Sequence, residues 1–215
     1  MIHLVKIYHL SYYIECPING KEWIYGSGII ISEDGLILTN NHLVEGAGDY
    51  YCEIGFTDKL SEAPILNYYA TIATAFDKDG KEIFLSSQDL DIAILRIDES
   101  KDGSLLPNSF SSVSIIGDSD KLNIGDKVLL VGYPGFGENT LTVTDGIISG
   151  RLGADLIKVS AKIDQGNSGG GLFTEQGELI GLPTMVYSGS FEGMGYAIGI
   201  DSVKFWLEGL NLDFD

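Results

Sequence analysis

Ser168 lies in Gly166-Asn167-Ser168-Gly169-Gly170, a hydroxyl mounted among three glycines. Glycine packs a core poorly, but it takes backbone angles other residues avoid and lets backbone approach a substrate closely. The pentapeptide reads either as a nucleophile mount or as a tight surface turn. A serine hydroxyl becomes nucleophilic only beside a general base, and that base needs an orienting partner. The chain has three histidines. His3 and His9 fall in Ile2–Ile14, whose aliphatic and aromatic mixture reads as a strand. His42 follows a segment that reads as strand, Glu33-Asp34-Gly35 turn and second strand, so it sits where a rigid scaffold passes into a loop. Asp91 heads the apolar run Ile92-Ala93-Ile94-Leu95, where a carboxylate can be held against an imidazole. Asp89 and Asp98 read instead as solvated charges at strand ends. The order His42, Asp91, Ser168 is one of three known chain orders for such a site, the one found on β-barrels.

In identity, order and setting these residues resemble the trypsin-like serine peptidases, in particular the protease domain of the HtrA/Deg group. The similar stretches include Gly26-Ser27-Gly28, Leu38-Thr39-Asn40-Asn41-His42-Leu43-Val44, Asp91-Ile92-Ala93-Ile94-Leu95 and Gly117-Asp118-Ser119. They continue through Gly125-Asp126, Gly132-Tyr133-Pro134, Thr144-Asp145-Gly146-Ile147-Ile148-Ser149, Gly166–Gly170, Gly177-Glu178-Leu179-Ile180-Gly181 and Gly195-Tyr196-Ala197-Ile198. The resemblance runs from about Gly26 to Val203. It implies an all-β fold of two six-stranded antiparallel barrels, chymotrypsin-like, with a short C-terminal helix. The expected division is residues 1–105, 112–200 and 201–210, with no PDZ domain in the 215 residues.

The resemblance also implies an acyl-enzyme route, with the N–H groups of Gly166 and Ser168 as oxyanion donors. It implies that Thr184, Met185 and Val186 pair with substrate backbone, and that Lys162 lies at the base of the primary specificity pocket. A lysine there would favour an acidic P1 residue; alternatively it snorkels to solvent. Two residues depart from the family pattern: Gln165 and Gly171 stand where proline is common, which predicts a looser loop around Ser168. No metal or cofactor is implied. The expected partner is a protein or peptide, unfolded proteins included. A silent peptide-binding module of the same fold is the competing reading. HtrA-like domains often trimerise through N-terminal segments, so Tyr8, Tyr12 and Tyr13 serve either a homo-oligomer contact or the first barrel.

The elements that must position these groups are legible in outline. Met1–Trp23 reads as a hairpin turning at Pro17-Ile18-Asn19-Gly20. Tyrosine-rich Glu45–Tyr69 reads as an inserted loop or hairpin near the cleft, and Thr71–Leu85 as a hairpin around Asp77-Lys78-Asp79-Gly80. That tetrapeptide is similar to part of a calcium loop but lacks the other ligands, so it reads as a plain turn. Polar Glu99–Ser111 reads as the connector between barrels. The second barrel is expected over Val128–Tyr133, Leu141–Ile148, Leu156–Ile163, Gly171–Phe173, Glu178–Met185 and Met194–Ile200. In Asp201–Leu210, Asp201 is a candidate helix cap, and Val203, Trp206, Leu207 and Leu210 recur at helical spacing.

Composition bounds the rest. A net charge of −18 argues against nucleic-acid binding and reads either as a solubility feature or as an electrostatic preference for basic or unfolded cationic substrates. No apolar run approaches the ~18 residues of a membrane span. The N-terminus lacks a secretory pattern, which predicts a cytoplasmic chain, or an extracytoplasmic one if a targeting segment has been removed. Cys16 and Cys52 are the only cysteines and are expected as free thiols.

Overall fold

Alternation of aliphatic and polar residues, punctuated by glycine turns, produces fifteen strands among the described residues, twelve of which close into two barrels. A computed structural model describes residues 7–18, 21–48, 51–57, 59, 62–135, 138–184 and 194–212. The first barrel contains β1 (Ser11–Ile18), β2 (Glu22–Ile30), β3 (Leu36–Thr39), β4 (Cys52–Phe56), β5 (Ile65–Ile72) and β9 (Ile92–Ser100), all antiparallel. Pairing of β3 with β9, Leu36 opposite Arg96 through Thr39 opposite Ala93, closes it. The short β8 (Ser86–Ser87) extends the start of β9. Ile14, Ile29, Ile37, Leu38, Ile54, Ile92 and Leu95 are fully buried on its strands, with adjacent Ile37 and Leu38 on opposite faces.

The second barrel runs β10 (Lys127–Gly132), β11 (Thr142–Leu152), β12 (Leu156–Val159), β15 (Gly195–Gly199), β14 (Leu179–Thr184) and β13 (Gly171–Thr174), again closed. Helix α1 (Ile200–Gly209) follows; of the expected stripe Val203 and Leu207 are buried and Trp206 and Leu210 half-buried, and Ile200 is buried beside them. Asp201 does not cap its own helix, where Gly199 takes the cap position. Its carboxylate reaches back to barrel-2 backbone instead, accepting bonds from Ser119 N–H, Ser119 Oγ (2.8 Å) and Asp120 N–H (3.2 Å) while pairing with Lys204 at 2.8 Å.

The barrels meet through Tyr133, just past β10. Its ring is fully buried and packs edge-on against Tyr13 of β1 at 5.9 Å. Its hydroxyl donates to Ser11 O and accepts from Thr57 N–H, both at 3.2 Å, so barrel 2 plants one side chain in barrel 1. Tyr12 and Tyr13 are themselves buried, which assigns them to the packing of the first barrel.

Four expectations change. Residues 45–69 are not an insertion: β4 and β5 are barrel strands. The structure outside the barrels is the hairpin of β6 (Thr74–Phe76) and β7 (Glu82–Phe84), which pairs only with itself. Phe76 and Phe84 there are 71% and 65% exposed, so the hairpin adds little to the core. Tyr8–Leu10 is a 3-10 turn, so His9 is not in a strand. The connector is shorter than expected, because β9 continues through Ser100. Most important, Cys16 and Cys52 are not free: they form a disulfide between neighbouring strands. The register placing Glu15 opposite Glu53 carries Cys16 opposite Cys52, a relation that spacing along the chain does not reveal. The expected turn at Asn19-Gly20 lies outside the described residues.

The bridge closes a separation of 36 residues. In the loop-entropy picture it contributes about 3–4 kcal/mol. Denaturant melts of a Cys16→Ala/Cys52→Ala variant are expected to show that loss, and reduction of the parent protein should mimic it. Coincident midpoints for parent and variant would show that the bridge adds no stability.

Candidate active site

His42 reaches the cleft because β3 cannot continue past Thr39. The Thr39 hydroxyl turns back to Ser27 O at 2.8 Å, and the Asn40 amide donates to Asp91 O at 2.9 Å. The chain then makes the 3-10 turn Asn41–Leu43, with Leu43 buried and His42 only partly so. On the facing side, a turn closed by Asp91 N–H to Gln88 O brings the chain to β9. Asp91 adopts φ +56, a left-handed conformation that few non-glycine residues take and that aspartate tolerates better than most.

That backbone aims the Asp91 carboxylate into a set of donors. Oδ1 accepts the His42 backbone N–H at 2.9 Å, Oδ2 lies 2.9 Å from His42 Nδ1, and Thr184 Oγ1 donates to Oδ2 at 2.7 Å. Burial alone would push the Asp91 carboxyl up. The bonds from His42, the neighbouring imidazole and the Thr184 hydroxyl outweigh it and hold the group below the usual carboxylate range. A carboxylate at Nδ1 fixes the neutral imidazole with its proton there and leaves Nε2 as the free base. Asp89 and Asp98 are both exposed, as strand-end charges should be, and Asp98 only accepts a bond from Thr71 Oγ1 at 2.9 Å.

Ser168 comes from barrel 2 to the same part of barrel 1, where a Cβ on Gly26 would meet both Leu43 and Ser168 O. It is 4% exposed, and its carbonyl accepts Ser27 N–H at 2.8 Å. Gly169, at φ +79, lies so close to barrel 1 that a Cβ would sit 2.2 Å from Ser27 O and 3.1 Å from Asn40 N, two residues before His42. A side chain there would force the barrels apart. Gly166 has φ +99, and a Cβ on it would meet Tyr133 O at 2.4 Å. Among the described residues, neither the Gly166 nor the Ser168 N–H has a hydrogen-bond acceptor. Both N–H groups, one of them the serine's own, are thus open donors among the described residues. A hydrogen bond between His42 and Ser168 is not among the described contacts.

The loop lacks the prolines of the family pattern, yet it is anchored by hydrogen bonds. Gln165 O accepts Gly135 N–H at 2.8 Å, Asn167 N–H donates to Asp164 O at 3.0 Å, and Gly166 O accepts Ser27 Oγ at 2.7 Å. Gly171 is buried as the first residue of β13. Lys162 is not brought to this site. Its side chain is 73% exposed and paired with Asp164 at 3.0 Å, the snorkelling arrangement rather than a buried counter-charge for an acidic P1. Met185 and Val186 lie outside the described residues. Sequence reasoning placed Thr184 against substrate and missed its bond to Asp91, 93 residues away in the chain. In the sequence Ser27 stands out only as part of Gly26-Ser27-Gly28.

The model of the trypsin-like peptidase domain family matches residues 26–182. The magnetosome formation protease MamE of Magnetospirillum gryphiswaldense is 32% identical over 192 residues, which are 84% of this chain and 22% of that protein. A probable periplasmic serine endoprotease, DegP-like, of Brucella suis is 36% identical over 184 residues, 82% of this chain and 30% of that protein. The chain spans less than a third of the length of either curated relative. Among solved structures, the serine endoprotease from Yersinia pestis superposes with a TM-score of 0.71 at 27% identity, over 97% of this chain and 65% of that one. The HtrA-type protease AlgW, solved with a tripeptide, gives 0.70 at 28% identity, over 96% and 61%.

The Asp91 network has a measurable signature. A depressed folded-state pKa contributes stability that is complete above the unfolded value of about 3.9 and is lost as pH falls through the folded one. Thr184→Val removes one donor, so carboxyl 13C NMR should find Asp91 titrating at higher pH in the variant than in the parent. Identical titrations would show that the hydroxyl does not hold the charge.

Proposed function

This chain belongs to the trypsin-like peptidase family and is HtrA/Deg-like, and we propose that it is a serine endopeptidase working through His42, Asp91 and Ser168. The observation that carries the reading is the Asp91 carboxylate bound to both the backbone N–H and the ring Nδ1 of His42, with the glycine-mounted Ser168 fastened to the same barrel through Ser27 N–H. That geometry supplies a base of defined tautomer, which structural packing alone does not require.

In the proposed reaction Ser168 Oγ attacks the scissile carbonyl carbon while its proton passes to His42 Nε2. The carbonyl oxygen becomes an oxyanion, held by the N–H groups of Gly166 and Ser168. The imidazolium, stabilised by Asp91, gives its proton to the amine nitrogen as the C–N bond breaks, leaving an acyl-enzyme on Ser168. Water, giving a proton to His42, then attacks the ester carbonyl; the bond to Ser168 Oγ breaks as His42 returns the proton to that oxygen, releasing the new carboxyl end and the free serine. No metal or cofactor enters these steps.

The proposed substrates are proteins or peptides, whose backbone adds as a strand beside residues 184–186. A net charge of −18 favours encounter with basic segments. We further propose an extracytoplasmic, oxidising compartment. The Cys16–Cys52 bridge supports it, as does the periplasmic description of the Brucella suis relative.

The test is digestion of unfolded casein together with labelling by a fluorophosphonate serine probe. Ser168→Ala is expected to lose both, with turnover falling by at least about 10⁴-fold while the thermal midpoint stays unchanged. A parent protein that binds casein but neither cleaves it nor takes up the probe would overturn the endopeptidase reading and leave a binding module.

A further inference from the structure

Ser27 lies in β2 of barrel 1, fully buried, and it makes contacts that the reaction steps do not use. Its main-chain N–H donates to Ser168 O at 2.8 Å. Its hydroxyl donates to Gly166 O at 2.7 Å and accepts Tyr133 N–H at 2.8 Å. One small side chain thus ties together a strand of barrel 1, the end of β10 and the loop before the serine. We propose that Ser27 is the positioning residue of the oxyanion site, holding the peptide that lies between the two donor peptides.

The argument follows the peptide planes. Gly166 N–H belongs to the 165–166 peptide and Ser168 N–H to the 167–168 peptide. In a trans peptide the carbonyl and N–H point in opposite directions. Gln165 O is held by Gly135 N–H, which sends Gly166 N–H away from the β10–β11 connection. Gly166 O is held by Ser27 Oγ, which fixes the 166–167 plane. Gly166 is the residue between these planes, and glycine resists rotation least of all residues. Asn167 offers no substitute hold through its acceptor, because Asn167 Oδ1 is buried without a partner among the described residues. Removing the Ser27 hydroxyl would leave both Gly166 O and Tyr133 N–H buried and unpaired, and rotation about Gly166 is the readiest relief.

The inference rests on the endopeptidase reading for its catalytic consequence, but not for its structural one. Ser27→Ala is the direct test and Ser27→Cys the near-isosteric one, with a weaker donor. With a peptide substrate, kcat is expected to fall ~10²-fold in Ser27→Ala, as for loss of an oxyanion donor, with KM changed by less than about threefold. Affinity for a peptide boronate, which mimics the tetrahedral adduct, should fall in parallel, and Ser27→Cys should lie between. A loss expressed in KM alone, or unchanged kcat and boronate affinity, would overturn the proposal.

Amide hydrogen exchange reads the same hinge without activity. The N–H groups of Gly135 and Asn167, both bonded in this loop, should exchange at least ~10-fold faster in Ser27→Ala, with the α1 amides unchanged. Equal exchange in parent and variant would overturn the proposal. An inactive parent protein whose variant shows the accelerated exchange would sink the endopeptidase reading and uphold the role of Ser27 in the loop.

Discussion

A carboxylate taken partly out of water must be paid for in hydrogen bonds, and Asp91 collects its donors from both barrels. The His42 N–H and ring come from the turn after β3, and the Thr184 hydroxyl comes from the end of β14 in the other barrel. Desolvation and donation pull the carboxyl in opposite directions, and donation prevails. A partly buried charge left with only some of these donors would be under-solvated, at a cost in stability. The relative placement of the two barrels is therefore part of the electrostatics of a single side chain. The left-handed backbone at Asp91 is the local cost of that aim, and such strain persists only where surrounding contacts over-determine it.

The second junction works without charge. Tyr133 sends its ring into barrel 1 and its backbone N–H to Ser27, so one residue of barrel 2 is grasped at both ends by barrel 1. This explains how the segment around Ser168 forgoes the prolines expected beside it. Proline would restrict the loop from within by fixing φ. Here Gln165 and Gly166 are restrained from outside, by carbonyl bonds to Gly135 and Ser27. Glycine at 166 and 169 is then required less for freedom than for clearance, because the bonds that fix the loop draw it within van der Waals range of its anchors.

What was legible in the sequence was local in origin. His42 and Asp91 could be found because each sits at the end of an apolar strand, and strand ends show in the periodicity. The two barrels followed from resemblance, and the second barrel's strands were also visible as short apolar runs between glycine turns. What escaped was set by register or by contacts across the fold. Cys16 and Cys52 face one another only because β1 and β4 pair as they do. Asp201 looked like a cap because aspartate before a helical stripe usually is one, yet the backbone of Ser119 and Asp120 offered more donors. Lys162 was placed by analogy with a pocket floor, whereas Asp164, two residues on, supplies a solvated partner that asks for no desolvation. Tyrosines in 45–69 suggested a surface loop because the hairpin of β6 and β7, the true excursion, carries its own phenylalanines and reads as a strand pair like any other.

Stability and chemistry draw on the same strands. β1 carries Ser11 and Tyr13, which receive Tyr133, and pairs along its whole length with β2, which carries Ser27. The disulfide fastens the other edge of β1 to β4. β4 ends one residue before Thr57, the donor to the Tyr133 hydroxyl. The covalent link therefore closes the short path β4, β1, β2 that forms the seat of Tyr133 and, through Ser27, of the Gly166 peptide. A loop hinged on glycine can aim backbone donors only as steadily as the sheet it leans on, so the cross-link belongs physically to the geometry beside Ser168, although its sulfurs lie buried in another strand pair.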